Sequence, residues 1–156
     1  MTPYRATAPY PWATLLSLIR RAFAGMEGRI DPPSSMQALT PRAIAGQAAT
    51  GEVWVTGTPC IACVFLTPEP GALYLHKLAV DPAHHRQGHA RALIAAAAAR
   101  ATALGLPALT LSTRIELVEN HATFRALGFL QTGRSAHPGF LRPTTLHFTL
   151  PLGEPA

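Results

Sequence analysis

The sequence predicts a mixed α/β fold of the α+β type: a single, mostly antiparallel sheet flanked by helices, in the order β-α-α-β-β-β-α-β-α-β-β. Three observations carry this. Three strand-like runs between residues 52 and 80 are separated only by short Gly- and Pro-bearing turns, which marks antiparallel neighbours. A run of helix formers between the strands at 73–80 and 108–113 marks one parallel crossover. Two more strands near the end complete the pattern. The 156 residues hold no internal repeat and no linker long enough to divide them, so a single domain over 1–156 is expected.

Taken in order, Tyr4 to Thr7 reads as a short first strand. Trp12 to Phe23 follows as a helix, because Leu15, Leu16, Leu18, Ile19 and Phe23 recur at helical spacing and Pro11 suits its start. Gly25 to Ser35 is rich in Gly and Pro and reads as a loop. Thr40-Pro41 opens a second helix, Thr as cap and Pro at the first helical position, ending before Gly51. Glu52–Thr56, Cys60–Leu66 and Leu73–Val80 read as strands. A long helix from Gly88 to Leu104 stops at Gly105. Ala108–Thr113 is a strand, Glu119–Leu127 a helix, and Phe129–Gly133 and Thr144–Leu150 the last two strands.

Composition narrows the function. Charged residues make up 13% of the chain, about half the usual ~25%. They comprise 12 Arg, one Lys (Lys77), 6 Glu and 2 Asp. Acid–base chemistry by a carboxylate therefore has eight candidates. The net charge of +5 suits an anionic ligand such as a phosphate. The longest basic run is Arg20-Arg21, so no nucleic-acid partner is expected. No apolar stretch is long enough to span a membrane and the first residues lack a signal-peptide core, so a cytoplasmic protein with no membrane partner is expected.

Two cysteines, Cys60 and Cys63, sit in the segment CIACVFL. Read as one strand, it would turn them to opposite faces, where they share neither a disulfide nor a metal. His85 and His89 have the spacing of a zinc-binding HExxH helix, but Arg86 replaces its glutamate and Gly88 lies between them. No metal is expected. His121 is expected on a helix surface and His147 on the last strand.

The most informative stretch runs from Leu78 to Leu93, a strand leading through a short loop into a helix at Gly88. The first amides of a helix lack internal partners and carry partial positive charge. Small residues at Gly88 and Ala90 admit a bulky anion, and Arg86 and Arg91 add charge. The glycine-rich fingerprints GxGxxG and GxxxxGK[ST] are both absent. An ordinary glycine at a strand-to-helix turn is the plain alternative. A further signal lies in the preceding strand: Leu73 and Leu75 are apolar on odd positions, Leu78 and Val80 on even ones. That switch predicts a β-bulge near His76-Lys77.

The segment His85-Arg86-Gln87-Gly88-His89-Ala90 resembles motif A of the GNAT superfamily of acyl-coenzyme A-dependent N-acyltransferases, [Q/R]-x-x-G-x-[G/A]. His85 stands where Gln or Arg is usual. Glu119 to Phe129, with Asn120, Phe124 and Gly128-Phe129, is similar to that family's motif B, and the element order matches from about residue 4 to 150. The resemblance implies acetyl-CoA as cofactor, with the pyrophosphate on the amides of Arg86, Gln87, Gly88, His89, Ala90 and Arg91. It implies pantetheine beside Leu78, Ala79 and Val80, with Asn120 and Phe124 near the thioester. It also implies transfer of an acetyl group to a primary amine of a small-molecule or amino-acid-like acceptor, by direct attack in a ternary complex. A protein or peptide amine is the alternative acceptor, and a non-catalytic coenzyme A-binding module the alternative role. Pairing through the C-terminal strands would make a homodimer.

Many relatives use a motif-B Tyr to protonate the leaving thiolate, where this chain has Phe124. Many use a Glu on the fourth strand as base, where this chain has His76 and Lys77. Of the acids, Glu154 falls in the tail, Glu69 in a turn, Glu52 at a strand start, and Asp81 in what reads as a loop brace. Glu116 is the favoured base, acting directly or through water, and His76 the next. Glu119 reads equally as a charge at a helix N-terminus. Glu27 and Asp31 of the first loop, with His137 and Phe140 of the last hairpin, are the candidates for the acceptor pocket. Lys77 reads as a solvated charge, or, from its place at the bulge, as a group that meets an acidic acceptor.

Overall fold

The computed structural model of the chain describes residues 1–153. Glu154 therefore lies outside the described residues. Seven strands form one sheet in the spatial order β1 (Tyr4–Arg5), β2 (Glu52–Thr56), β3 (Ala62–Glu69), β4 (Ala72–Val80), β5 (Ala108–Arg114), β7 (Thr145–Pro151) and β6 (Leu130–Ser135). Strands β4 and β5 are parallel, and every other pair among the described residues is antiparallel. The helices are α1 (Trp12–Phe23), α2 (Pro41–Thr50), α3 (His89–Ala103) and α4 (Val118–Ala126).

Local chemistry explains the boundaries. Helix α1 buries Leu15, Leu16, Leu18 and Ile19, the stripe its spacing dictates. Helix α2 starts at Pro41 because the Thr40 hydroxyl accepts from the Ala43 amide at 3.1 Å. It ends at Gly51, where a Cβ would stand 2.8 Å from the Leu66 carbonyl oxygen and 2.6 Å from the Gln47 amide nitrogen. That close approach lets Gln47 reach across and donate to the Leu66 carbonyl at 3.1 Å.

The sheet is covered by two layers. On one face Val53, Val55, Cys63, Phe65 and Ala79 pack with Leu15, Leu18 and Ile19 of α1 and Ile44 of α2. On the other, Val64, Leu66, Leu73, Leu75, Leu109, Leu111 and Phe148 pack with Leu93, Ile94, Ala97 and Ala101 of α3. Glu52, only 4% exposed, is satisfied by the Arg100 guanidinium at 2.9 Å and the Trp54 indole N–H at 2.9 Å. The α1–α2 layer lies over β2 to β4, and the same face of β5 and β7 carries Thr110, Ser112, Arg114, Thr145, His147 and Thr149.

The predicted bulge is present. Phe65 pairs with His76 and Cys63 with Ala79, so two steps along β3 face three along β4. The extra residue falls at Lys77-Leu78, with Lys77 in the left-handed region at φ 51°. Leu73 and Leu75 before it, and Leu78 and Val80 after it, face the same α3-side core. Pairing of β4 with β5 runs from Leu73↔Leu109 to Leu75↔Leu111 and stops there, one residue before the bulged segment begins.

Two expectations need correction. Strand β3 begins at Ala62, not Cys60, because Gly57 to Ile61 form a turn closed by the Ile61 amide on the Thr56 carbonyl at 2.8 Å. Cys60 is thus outside the strand, and both cysteines are buried free thiols in the same α1–α2 layer rather than on opposite faces. His121 is not on the surface. It is 6% exposed, sharing an inward stripe with Phe124 one turn on, with its Nε2–H donating to the Arg114 carbonyl at 2.9 Å. Among the described residues, no helix is long and apolar enough to cross a membrane.

Candidate active site

Beyond β4 the chain turns through Pro82–His84, held by Asp81. One Asp81 oxygen accepts from the Ala83 amide at 3.0 Å and the other from Arg21 at 3.1 Å. The Ala83 amide first, then the Arg21 guanidinium, holds this carboxyl below the usual carboxylate range. Asp81 is the brace its position implied. His85 donates from Nε2 to the Val80 carbonyl at 3.2 Å, tying the turn to the end of β4.

Arg86 at φ 62° and Gly88 at φ 84° are both left-handed, and α3 starts immediately after. No side chain caps this helix; its first internal bond runs from the Ala92 amide to the Gly88 carbonyl at 3.0 Å. The amides of His89, Ala90 and Arg91 are therefore left with no acceptor inside the helix. A Cβ at Gly88 would meet nothing within 4 Å. Glycine is thus required by φ rather than by crowding, and the space over the amides is open to an anion. Gln87 accepts from His84 at 3.3 Å and from His89 at 3.1 Å, which sets two imidazoles beside Arg86 at the rim.

Where β4 and β5 part lies a half-open cavity of about 310 Å³. Its floor is β4 from Tyr74 to Leu78 and β5 from Leu111 to Arg114. Its walls are Phe23 at the end of α1, Met26, Ile30, Ser34 and Ser35 from the segment that follows, Leu117, Asn120 and Phe124 at α4, and His137 and Thr145 at the last hairpin. Four polar contacts tie the segment after α1 over this space. Arg29 grips Glu119 with two bonds of 2.6 and 2.9 Å. Arg114 donates to the Pro32 and Pro33 carbonyls at 2.7 and 3.3 Å. Arg142 reaches Asp31 at 3.5 Å. Glu116 accepts from the Asp31 amide at 3.0 Å.

Of the residues singled out from sequence, His76, Leu78, Asn120, Phe124 and His137 line the cavity. Glu116 does not: one carboxylate oxygen holds Asp31 and the other is buried without a partner among the described residues. Glu27 and Asp31 are exposed on the tied segment, and Phe140 packs edge-on to His137 with Arg142 over its ring, outside the lining. Ala79 points into the α1–α2 core, so only its backbone faces outward. Val80 and the stretch from His85 to Arg91 form the turn at the far end of the parted strands.

His76 is an aromatic-caged imidazole, stacked on Tyr74 at 5.2 Å and edge-on to Phe65 at 5.4 Å. Burial, and then the charge of Lys77, pushes its pKa down to about 4, so it is neutral at pH 7. Thr67 Oγ1 lies 3.1 Å from its Nε2 and already accepts from Gln47 at 3.2 Å. The Thr67 hydroxyl, with two lone pairs and one proton, can pair with either tautomer of the ring. His137 is held at Nδ1 by the Thr144 hydroxyl, which also takes the His137 backbone amide at 2.9 Å. Among the described residues no three His, Cys, Asp or Glu side chains gather to hold a metal ion.

A model of the acetyltransferase (GNAT) family matches residues 12–129. The chain belongs to that family. Solved GNAT-type structures share its fold across nearly the whole chain. A protein described as a candidate GNAT acetyltransferase from Desulfovibrio desulfuricans superposes with a TM-score of 0.75 at 15% identity, over 97% of this chain and 99% of its own. A ribosomal-protein alanine N-acetyltransferase from Escherichia coli gives 0.67 at 17% identity, over 99% and 97%. One described as a candidate streptothricin acetyltransferase from Bacillus anthracis, solved with acetyl coenzyme A, gives 0.60 at 17%, over 66% and 63%. A search of curated proteins finds no sequence that matches.

In this GNAT-family protein Tyr74, Ser112 and Arg114 also line the cavity, none of them among the site residues expected from sequence. A signal existed: Thr110, Ser112 and Arg114 alternate with the buried Leu109, Leu111 and Thr113, placing a polar row opposite the core. Ser112 lines the cavity and also opens a side-chain line across the sheet. Its hydroxyl lies 2.7 Å from His147 Nδ1, and His147 Nε2 lies 2.8 Å from the Ser135 hydroxyl.

Proposed function

We propose that the protein transfers an acetyl group from acetyl coenzyme A to the primary amine of a small acceptor, by direct attack in a ternary complex. The observation that carries this reading is that β4, left without a β5 partner beyond Leu75, lines the cavity as far as Leu78 and leads through one short turn to the uncapped amides at the start of α3. The residues present fit the cofactor: the His89, Ala90 and Arg91 amides, with Arg86 beside them, suit a pyrophosphate, and the bulged strand from Lys77 to Val80 offers backbone groups without a β5 partner. When bound, acetyl coenzyme A supplies an acyl carbon already activated as a thioester.

Asn120 and Phe124 then lie on the wall nearest the reacting end. The amine nitrogen bonds to the acyl carbon as the carbon–sulfur bond breaks, and the amine proton must leave. We assign its acceptance to His137. That role uses the tautomer in which Nδ1–H and the backbone amide both donate to Thr144 and the Thr144 hydroxyl donates to the Ser135 carbonyl at 3.5 Å, which leaves the Nε2 lone pair for the proton. Glu116 serves as a positioning residue for the tied segment. With Phe124 in place of a tyrosine, the proton returns to sulfur from solvent.

The four ties hold the segment after α1 against this half-open cavity, which supports a small acceptor over an extended peptide. Calorimetry with acetyl coenzyme A, followed by thiol release with free amines and peptides, tests the reading. Binding with release by small amines is expected. Absence of binding, or release with peptides alone, would overturn it.

A further inference from the structure

The charge of the cavity is one-sided. Among the described residues that line it are two permanent or near-permanent cations, Lys77 and Arg114, and no carboxylate. Neither cation meets an acid among the described residues. Arg114 gives two of its five N–H groups to the Pro32 and Pro33 carbonyls, which accept hydrogen bonds but do not neutralise its charge, and keeps the others for a ligand. The Lys77 ammonium makes no hydrogen bond or ion pair with a described residue, and burial draws its pKa below the ordinary lysine value. A half-buried cation without a counter-ion is unfavourable in the free protein. Here it is also held at a left-handed bulge position, φ 51°, which fixes the direction in which its side chain leaves the strand.

The neutral polar groups point the same way. His76, Ser34, Ser35 and Asn120 line the same space and can each donate a hydrogen bond. The opposite wall, Phe23, Met26 and Ile30, is apolar. An acceptor bearing several amines would place its extra cations against Lys77 and Arg114 with no carboxylate to hold them, a repulsive arrangement that selects against it. An acceptor that brings its own anion completes both unpaired charges.

We propose that the acceptor is a small amino acid with an apolar side chain: its carboxylate is held at Lys77 and Arg114, its side chain lies against Phe23, Met26 and Ile30, and its amine is acylated. This rests on the transferase reading above. The balance is that of amide formation, with the nitrogen–carbon bond formed, the carbon–sulfur bond broken, and the amine proton passed through His137 to solvent as coenzyme A departs as the thiol.

The test compares amines that differ only in the carboxylate, phenylalanine against phenethylamine and leucine against isoamylamine, by thiol release from acetyl coenzyme A. The wild-type protein is expected to favour the amino acid by about tenfold to a hundredfold in kcat/KM, carried by KM, as for a charge-assisted bond. Lys77→Met should bring the two members of each pair together, and Lys77→Arg should keep them apart. Equal use of both members by the wild-type protein would overturn the proposal without any variant being made. So would an equal loss on both in Lys77→Met, which would place Lys77 at the thioester, and so would binding of acetyl coenzyme A without transfer to any carboxylate-bearing amine. Failure to bind acetyl coenzyme A at all would instead overturn the transferase reading.

Discussion

The thiol of Cys63 donates to the carbonyl oxygen of Lys77 across 3.5 Å. The bulge turns that carbonyl out of the β3–β4 ladder, and a buried side chain from the neighbouring strand satisfies it. Lys77 is thereby fixed by a residue on the opposite side of the sheet from the α3 layer.

Cys63→Ala removes this donor and leaves a small void. A loss of roughly 1–3 kcal/mol in a urea titration is expected. Cys63→Ser keeps a donor and is expected to lose less. Burial pushes the Cys63 thiol well above its ordinary pKa. It should therefore react with a thiol reagent only when the protein unfolds.

His76 makes stability depend on pH. Its folded pKa of about 4 lies below the ordinary value of 6.5. Between those two values the unfolded chain takes up a proton that the folded chain refuses, so stability falls as pH drops from 6.5 towards 4 and levels off below. Denaturant midpoints measured across that range should show this slope, and His76→Phe should flatten it.

Glu116 should behave as a tether. Glu116→Ala frees the Asp31 amide and loosens the segment over the cavity, so the acceptor KM should rise severalfold while kcat and the acetyl coenzyme A affinity hold. A collapse of kcat with KM unchanged would instead make the carboxylate the base.

The Arg29–Glu119 pair should survive acid better than most exposed pairs. The Arg29 guanidinium draws the Glu119 carboxyl down to about 2 from 4.5. What the pair contributes is complete above the unfolded value and is lost as pH falls through about 2. Because both side chains are near half exposed, the contribution to global stability is small. The sensitive readout is proteolysis within residues 24–39, which Arg29→Ala should accelerate at neutral pH.

Gly88→Ala places a side chain at φ 84° where nothing crowds it. Backbone strain of about 1–2 kcal/mol is expected. The calorimetric affinity for acetyl coenzyme A should fall with it, because relief of that strain re-aims the α3 amides.

Much of this arrangement is written locally in the chain. The α1 stripe, the Thr40-Pro41 start and the parity switch between Leu75 and Leu78 each report an environment that the residue itself needs. Cys60 was harder, because Cys-Ile-Ala-Cys carries β-forming residues while the turn is imposed upstream by Gly57. His121 looked polar on a short helix, yet the free Arg114 carbonyl offered it a buried partner. The ties over the cavity had no local signature at all: Arg29 meets Glu119 across 90 positions and Asp31 meets Arg142 across 111. Exposed ion pairs of that kind follow from the finished fold and from no periodicity in the sequence. The same holds for the contact of Glu116, a candidate base from its place just after β5, whose carboxylate accepts from the Asp31 amide 85 positions away.

The sequence contains one lysine, and it lines the cavity. Arginine carries the rest of the basic charge and does not form stable amides with thioesters under mild conditions. An acyl donor bound in the cavity would therefore meet one side-chain amine of these residues, that of Lys77. Lysine-directed labelling followed by mass spectrometry consequently reads a single internal position, and protection of that position reports directly on what fills the cavity.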